Sequence, residues 1–208
     1  MIAAYLANIA LGYLLGAVPY GLIVGYAWTG RDIRETGSGK TGTTNVLRTA
    51  GKVAAAIVVT SDIAKGVAPA LVGRFVFEDD GVAAAGAAAA IIGHVWPVFA
   101  GFRGGRGVAT AYGGILGMSP LLAAFFPLLL IIPVGLTRYM SLGSVLGTPL
   151  ASAAVVVTAA LGWEPWAFAF YAIFVALLVE YMHIPNIRRL LAGAEPKLGQ
   201  GGRRPATG

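Results

Sequence analysis

Three clusters of glycine, hydroxyl and cationic residues carry the side chains that could do chemistry in this chain. The first runs from Gly37 to Asn45 and is followed by Arg48. Glycines let backbone N–H groups approach an anion closely, and hydroxyl, amide and guanidinium groups can complete its shell. The run is typical of a phosphate-binding loop, with an ordinary flexible loop as the alternative.

Two nucleotide-binding motifs are excluded for this run. Gly37, Gly39 and Gly42 have the spacing of a dinucleotide fingerprint, but an apolar segment and a charged linker precede them where the fingerprint needs a buried strand. Gly39-Lys40-Thr41 resembles the end of a P-loop, yet Arg34 stands where the first glycine of that motif belongs.

The second cluster lies between Gly93 and Thr110. Its centre is Gly104-Gly105-Arg106-Gly107, at the predicted start of a helix. Free N–H groups and the positive end of a helix dipole also favour an anion there. His94 could serve as a base, but we favour a histidine that hydrogen-bonds a neighbouring helix.

The third cluster follows the last apolar segment and begins at His183. Pro185 predicts a short helical start, from which His183, Asn186 and Arg188 could point at one ligand. A basic stop beside a membrane is the alternative interpretation.

The composition shows what kind of scaffold must position these clusters. Of the 208 residues, 57% are hydrophobic and 12% are charged, whereas soluble domains carry about 25% charged residues. The chain is therefore predicted to be an all-α integral membrane protein. Cysteine is absent, which excludes disulfides, thiol nucleophiles and cysteine-ligated metals.

Apolar segments predict the spans. They cover residues 2–28, 53–73, 82–100, 107–137, 139–162 and 165–182. We divide the fourth at Ser119-Pro120, because proline disfavours helix in the residue before it. Small-xxx-small spacings, such as Gly12 to Gly16, predict close contacts between the helices.

The charges support seven transmembrane helices. With that division, every Lys and Arg except Arg74 and the intramembrane Lys65 falls on one side, while Glu78, Asp79, Asp80 and Glu164 fall on the other. The positive-inside rule then places the N-terminus outside, the C-terminus in the cytoplasm and the active site on the cytoplasmic face.

The same topology defines the domain and its partners. Residues 1–193 form one membrane domain, and we expect 194–208 to be a polar, disordered cytoplasmic tail. The basic inner face suits anionic lipid or phosphorylated metabolites, and we expect no nucleic-acid partner, because no basic and aromatic module of a known type occurs.

Asp62 and Lys65 are the basis of a rival hypothesis. They lie three residues apart inside an apolar span, where an ion pair is cheaper than either charge alone. A membrane transporter of a phosphorylated solute would place its coupling residues in this way.

Together the motifs resemble the PlsY family of bacterial acyl-phosphate:glycerol-3-phosphate acyltransferases. The resemblance covers nearly the whole chain. It rests on 16–21, 37–48, 62–66, 93–110, 138–142 and 183–195. It implies a multi-pass enzyme of the bacterial inner (cytoplasmic) membrane that transfers an acyl group from acyl phosphate to the sn-1 hydroxyl of glycerol 3-phosphate. The products are lysophosphatidic acid and inorganic phosphate, and the reaction is the first acylation of phospholipid synthesis.

The resemblance also implies the partners and the site. Besides the two substrates and membrane lipid, it implies a hand-over from the enzyme that forms the acyl phosphate. The catalytic residues would be His183, Asn186, Arg106 and Arg48. The residues that bind substrate phosphate would be Ser38, Thr44, Asn45, Gly104, Gly105, Ser141 and Arg188. Glu195 would help to order the third cluster.

This chain departs from the family pattern at two positions. The family usually has asparagine at the position of Lys40 and lysine at the position of Arg106. Arginine keeps the charge as a planar fork that could bind phosphate bidentately, so we expect activity to be retained.

The proton acceptor is the open chemical question. Peripheral glycerolipid acyltransferases use a His-x-x-x-x-Asp pair, but Phe99 lies five residues after His94 and Arg188 five after His183. We expect His183 and Asn186 to position the glycerol hydroxyls and a substrate phosphate oxygen to accept the proton, with His183 as the alternative acceptor. Two histidines without clustered carboxylates make a poor ligand set, so we predict no metal and no cofactor.

Overall fold

The regular structure of the described chain is entirely helical. The computed structural model describes residues 1–200. Its helices are α1 Ile2–Ala17, α2 Tyr20–Thr29, α3 Thr43–Thr49, α4 Gly51–Phe75, α5 Asp80–Val95, α6 Val108–Met118, α7 Pro120–Thr137, α8 Met140–Ala160 and α9 Trp166–Leu191, with 3₁₀ turns at Ile33–Glu35 and Val98–Ala100. The prediction of an all-α membrane protein is confirmed.

Six segments within residues 1–200 are long and apolar enough to cross a membrane. They are Ile2–Thr29, Gly51–Phe75, Asp80–Ala100, Pro120–Thr137, Met140–Ala160 and Trp166–Leu191. The predicted break is present, since α6 ends at Met118 and α7 begins at Pro120. However, α6 has 11 residues, a length of about 16 Å against a hydrocarbon core of about 30 Å. A count of seven full spans therefore stays a prediction.

The first span is not one continuous helix, contrary to our expectation for 2–28. It breaks at Val18-Pro19, between α1 and α2. Proline has no N–H to donate and clashes with the preceding turn, so the last carbonyls of α1 are left without helical partners. The Lys65 ammonium on α4 donates to Gly16 O, in the last turn of α1, at 3.0 Å and to Val18 O, at the break, at 2.9 Å.

Close glycine contacts pack the helices. A Cβ added to Gly12 would lie 2.1 Å from the Gly86 carbonyl oxygen on α5, and one added to Gly113 would lie 2.0 Å from the Ile63 carbonyl oxygen on α4. The backbones approach to distances that any side chain would prevent. The predicted role of the small-residue spacings in helix contact is confirmed at these positions.

One end of the bundle, called the acidic end here, holds the predicted outer charges. Arg74 at the end of α4 pairs with Asp80 at 3.9 Å and donates to the Met118 carbonyl. The Ser119 hydroxyl donates to Glu164. The opposite end, called the site end, holds the three clusters.

The first residues of the expected disordered tail contact the bundle. Within residues 194–200, the Leu198 N–H donates to the Arg138 carbonyl at 2.7 Å, and the Arg138 guanidinium donates back to the Leu198 carbonyl at 2.8 Å. These contacts fix the segment against the turn between α7 and α8. Residues 201–208, the rest of the expected tail, lie outside the described residues.

Candidate active site

A cavity of about 1220 Å³ at the site end brings the three clusters together. It opens among their loops and continues between α4, α6, α7, α8 and α9. The predicted site residues that line it are Ser38, Thr44, Asn45, Arg48, Arg106, Ser141, His183 and Asn186. Gly104, Gly105 and Arg188 lie outside this lining.

The first cluster is a folded loop whose shape depends on Asn45. The Asn45 amide donates to Ile33 O at 2.7 Å and to Lys40 O at 2.9 Å, while its carbonyl oxygen accepts the Ser38 N–H at 3.0 Å. Asn45 therefore holds the loop instead of presenting a free amide to a ligand. The loop also lies directly on α2, since a Cβ on Gly21 would be 1.7 Å from the Thr41 carbonyl oxygen.

Gly104 and Gly105 do not offer free N–H groups, contrary to what a phosphate cradle requires. Gly104 N–H donates to the Val95 carbonyl and Gly105 N–H to the His94 carbonyl, both at 3.2 Å. A Cβ on Gly104 would lie 2.0 Å from the His94 carbonyl oxygen, and one on Gly105 would lie 2.1 Å from His94 Nε2. These glycines let the loop pack against α5, and that packing positions Arg106. At the same loop, Gly107, with φ +85°, precedes α6 and lines the cavity.

Arg106 and Arg48 both line the cavity, and each has one nitrogen without a hydrogen-bond partner in the described chain. The Nε atom of each is buried and has no hydrogen-bond partner among the described residues. Burial lowers the pKa of Arg106 to about 10, and the charges of Arg189 and Arg48 also favour a lower value, against an opposing effect of Glu195. Buried, unpaired donors of one charge sign are typical of an anion site.

Lys40 also lines this cavity, a position that the sequence left undecided. Burial lowers the pKa of its ammonium, with further contributions from Arg106 and Arg103. Lys40 therefore adds a cation to the same field as Arg106.

The third cluster lies within α9 and not after it. We expected Pro185 to begin a new helix, but α9 continues to Leu191 with Pro185 inside it. Proline removes one backbone hydrogen bond, yet α9 continues through Pro185. In an unbroken helix, positions three residues apart share a face, so His183 and Asn186 are joined by Arg189. Arg188 is exposed and points away from the cavity lining.

His183 presents one ring nitrogen as an acceptor. Its Nδ1 lies 2.7 Å from the Val179 carbonyl oxygen, and a carbonyl oxygen only accepts, so Nδ1 carries the proton. The neutral ring then has a free lone pair on Nε2. A substrate hydroxyl could donate to this atom.

Glu195 joins the third cluster to α8. Its carboxylate accepts from the Ser141 hydroxyl at 2.6 Å, from the Asn186 amide at 2.7 Å and from Arg189 Nε at 2.7 Å. Burial by itself would raise the pKa of Glu195, but these hydrogen bonds outweigh it and lower the pKa. Ser141, predicted to bind phosphate, thus donates to Glu195, and Asn186 keeps its carbonyl oxygen without a partner among residues 1–200.

The sequence missed Arg189 as a residue of the site. It lines the cavity, and its salt bridge with Glu195 fixes it there. The spacing of three residues from His183 to Asn186 continues to Arg189 and could have predicted that Arg189 shares their face. The helix break that we assumed at Pro185 hid this pattern.

Asp62, Lys65 and His94 form a buried cluster beside the cavity. Lys65 Nζ lies 2.9 Å from Asp62 Oδ1, and His94 Nδ1 lies 3.4 Å from the same oxygen. With its bonds to Gly16 and Val18, Lys65 has three acceptors for its three protons. The preferred interpretation of His94 as a contact to a neighbouring helix agrees with this geometry.

The balance of charge at the cavity favours an anion. The cavity is lined by five cationic side chains and two carboxylates, namely Lys40, Arg48, Arg106, Arg138, Arg189, Glu195 and Asp62. Asp62 is paired with Lys65, and Glu195 with Arg189. Within residues 1–200, no three His, Asp or Glu side chains lie close enough together to hold a metal ion. The cavity thus combines a basic mouth with an apolar interior.

Comparison with known proteins agrees with this architecture. Residues 6–193 match the family model of glycerol-3-phosphate acyltransferase. Glycerol-3-phosphate acyltransferase 3 of Dehalococcoides mccartyi is 42% identical over 212 residues, covering 96% of this chain and 98% of the relative. The glycerol-3-phosphate acyltransferase of Rubrobacter xylanophilus is 41% identical over 192 residues, covering 92% of this chain and 94% of the relative.

Two crystal structures of PlsY, an integral membrane glycerol 3-phosphate acyltransferase, have the same fold. The glycerol 3-phosphate form aligns with a TM-score of 0.85 at 36% identity, covering 93% of this chain and 94% of that chain. The lysophosphatidic acid form aligns with a TM-score of 0.82 at 35% identity. The match extends over nearly the whole chain in sequence and in fold, and this multi-pass membrane protein belongs to the PlsY-type glycerol-3-phosphate acyltransferase family.

Proposed function

We propose that the protein transfers the acyl group of an acyl phosphate to the sn-1 hydroxyl of glycerol 3-phosphate, giving lysophosphatidic acid and inorganic phosphate. The observation that carries the proposal is the basic mouth of the cavity above an apolar interior, in a member of this family. Arg48 and Arg106, with their unused Nε donors, suit two phosphate groups that would otherwise repel each other.

The reaction needs orientation more than activation, because an acyl phosphate already has a good leaving group. The glycerol hydroxyl oxygen attacks the carbonyl carbon, the bond from that carbon to the phosphate oxygen breaks, and phosphate departs. We assign the hydroxyl proton to a phosphate oxygen of the substrate. His183 Nε2 and the free Asn186 carbonyl oxygen would accept hydrogen bonds from the glycerol hydroxyls and hold them in line.

We assign the residues that bind substrate phosphate from their positions in the cavity. We propose that Arg48, Arg106, Lys40 and Arg189 bind phosphate directly, with Ser38 and Thr44 as hydroxyl donors at the loop. Asn45, Gly104, Gly105 and Ser141 would act through the positions of their neighbours, because their polar groups are already paired. Arg188, exposed beside the membrane, would meet lipid headgroups.

We place the site end in the cytoplasm and the N-terminus outside, in a bacterial inner membrane. The grouping of Asp80 and Glu164 at the acidic end and of the basic clusters at the site end supports this orientation. In this arrangement α6 and the loop before it would make up the seventh crossing. One membrane domain, 1–193, would take acyl phosphate from the enzyme that forms it.

A transporter role for Asp62 and Lys65 is not favoured. Lys65 is satisfied by Asp62 and by the carbonyls of Gly16 and Val18 at the break between α1 and α2. A cation with three fixed partners is suited to joining helices and poorly suited to binding and releasing a solute.

The test is phosphate release by the purified protein in lipid, given palmitoyl phosphate and glycerol 3-phosphate with magnesium chelated. We expect release only with both substrates, together with lysophosphatidic acid. Acyl-CoA and acyl carrier protein thioesters serve as parallel donors. Turnover of a thioester but not of acyl phosphate would contradict the proposed donor, and loss of turnover on chelation would contradict the predicted metal independence.

A further inference from the structure

The interior of the cavity has a closed end, and its depth can be measured along two helices. On α8, the lining residues Ser141 and Val155 are fourteen residues apart. On α9, the lining residues Asn186 and Ala172 are also fourteen residues apart. Since Ser141 and Asn186 both donate to Glu195, the two helices measure the same depth of about 21 Å.

The closed end is a packed layer of side chains, called the base here, formed by Phe126, Val155 and Ala172. These residues line the cavity and are 5%, 0% and 1% exposed. The next residues along the same helices, such as Ala159 and Phe168, are buried but do not line it. The cavity therefore ends at the base and does not continue toward the acidic end.

The helices around the base are joined, whereas those nearer the site separate. α6 and α7 meet at Ser119, and the Tyr171 hydroxyl donates to the Ala111 carbonyl at 2.9 Å, which ties α9 to α6. Toward the site end, α4 and α7 both line the cavity, through Ile63 and Ile131, without forming a packed pair in the described chain. A gap between α4 and α7 would give the cavity a lateral opening beside the site, above the closed base.

The lining between the site and the base suits a straight alkyl chain. On α8 it consists of small or uncharged residues, namely Gly143, Ser144, Thr148, Ala151, Ser152 and Val155. An extended alkyl chain with bonds of about 1.5 Å and angles near 111° advances about 1.25 Å per carbon. The depth from His183 to Ala172 is about 16 Å and that from Ser141 to Val155 about 21 Å, which is room for roughly 13 to 17 carbons.

We propose that the base formed by Phe126, Val155 and Ala172 limits the acyl donor to chains of about 16 carbons. The inference rests on the proposed acyl transfer and adds its chain-length specificity. A longer chain must bend back or leave through the opening between α4 and α7, and the carbons outside the cavity lose the contact that the base provides.

The experiment measures kcat/KM for octanoyl, dodecanoyl, palmitoyl and arachidoyl phosphates with saturating glycerol 3-phosphate. For the wild-type protein we expect a sharp fall, of about tenfold, from palmitoyl to arachidoyl phosphate. Along α8, Thr148 lies about 10 Å and Ser152 about 16 Å from Ser141 toward the base. Phenylalanine at either position would therefore shorten the cavity, and Thr148→Phe would shorten it more.

The two substitutions give a graded result if the base is the limit. Thr148→Phe should lower the ratio of dodecanoyl to octanoyl turnover by about tenfold. Ser152→Phe should lower the ratio of palmitoyl to dodecanoyl turnover by about the same factor. The reason is that forcing an alkyl chain into a space already filled by a side chain weakens its binding by about tenfold or more. Leu150→Phe is the matched control, because Leu150 is on the same helix, 56% exposed and outside the lining. It should keep the wild-type profile.

A gain-of-function variant separates the proposal from damage to the fold. Val155→Ala deepens the base and should raise arachidoyl relative to palmitoyl turnover, which a poorly folded protein cannot imitate. An unchanged profile in Thr148→Phe and Ser152→Phe, or an equal loss for every chain, would overturn the limit and indicate that the chain leaves between α4 and α7. If no acyl phosphate were turned over by the wild-type protein, the proposed reaction itself would fall, and the limit with it.

Discussion

At the scale of single residues, the unused donors of Arg106 and Arg48 are the most informative feature. A guanidinium offers five N–H groups in a fixed fork, and a buried N–H without a partner is costly. The Nε atoms of both residues are in this state in the described chain. We expect a bound anionic substrate to remove this cost.

Removal of the Arg106 guanidinium should weaken turnover. Arg106→Ala is expected to lower kcat/KM for glycerol 3-phosphate by about tenfold to about 100-fold, the range that a charge-assisted hydrogen bond contributes. Arg106→Lys keeps the charge and should stay within about tenfold of the wild type. Arg103→Ala, which removes an exposed arginine from the same loop, serves as the control. Equal losses in Arg103→Ala and Arg106→Ala would contradict a specific role.

Glu195 predicts how stability depends on pH. Its folded-state pKa is below the ordinary value of 4.5, because hydrogen bonds from Ser141, Asn186 and Arg189 outweigh the effect of burial. The ionised Glu195 carboxylate therefore contributes its full stabilisation of the folded state above pH 4.5, and this contribution is lost as pH falls through the lower folded-state pKa. Glu195→Gln should therefore unfold at a lower temperature at neutral pH and show a flatter decline on acidification.

Thermal unfolding of the detergent-solubilised protein from neutral pH to below 4.5 provides the measurement. Glu78→Gln, at an exposed glutamate near the acidic end, should follow the wild-type curve. If Glu195→Gln had the same thermal-unfolding midpoint as the wild type at neutral pH, the carboxylate would not stabilise the third cluster.

At the scale of elements, Lys65 joins three helices. It lies on α4 and is 5% exposed. It donates to the Gly16 carbonyl of α1 and to the Val18 carbonyl at the break, and it pairs with Asp62. Asp62 also meets His94 on α5 at 3.4 Å, and the His94 carbonyl holds Gly105 at 3.2 Å. The break in the first span is thus connected to the loop that carries Arg106.

Lys65→Met should destabilise the fold more than a double variant that removes both charges of the Asp62–Lys65 pair. With lysine gone, Asp62 is a buried carboxylate that lacks its main partner, and a loss of about 3–5 kcal/mol is expected. Asp62→Asn combined with Lys65→Met should recover part of it. The midpoints of thermal unfolding in detergent give the order, with Lys52→Met at the exposed start of α4 as the control. A single variant as stable as the double variant would contradict the pairing.

At the scale of the whole molecule, the two ends of the bundle predict its orientation. The chain lacks cysteine, so single reporters can be placed at Glu78, near the acidic end, and at Arg31, near the site end, both exposed. We expect a membrane-impermeant maleimide to label Glu78→Cys from the periplasmic side, and Arg31→Cys only after the inner membrane is opened. The reverse pattern would contradict the proposed cytoplasmic site.

Large-scale features follow from the sequence alone because they depend on composition. Hydropathy and the distribution of charge predicted a helical membrane bundle, the break at Ser119-Pro120 and the convergence of three clusters at one end. Each of these needs only an average over many residues or a local proline effect. The family resemblance was readable for the same reason, since it lies in the order of motifs along the chain.

The roles of individual polar groups were decided by the tertiary structure. The sequence placed Gly104 and Gly105 among the phosphate ligands, but their N–H groups are bonded to α5. It also chose Arg188 over Arg189, because the assumed break at Pro185 shifted the helical face, and it left residues 194–200 without a partner, although Arg138 holds them. A donor bonds whichever acceptor the fold brings within about 3 Å of it, and the order of residues along the chain does not fix that distance, so only the packed helices determine the partner.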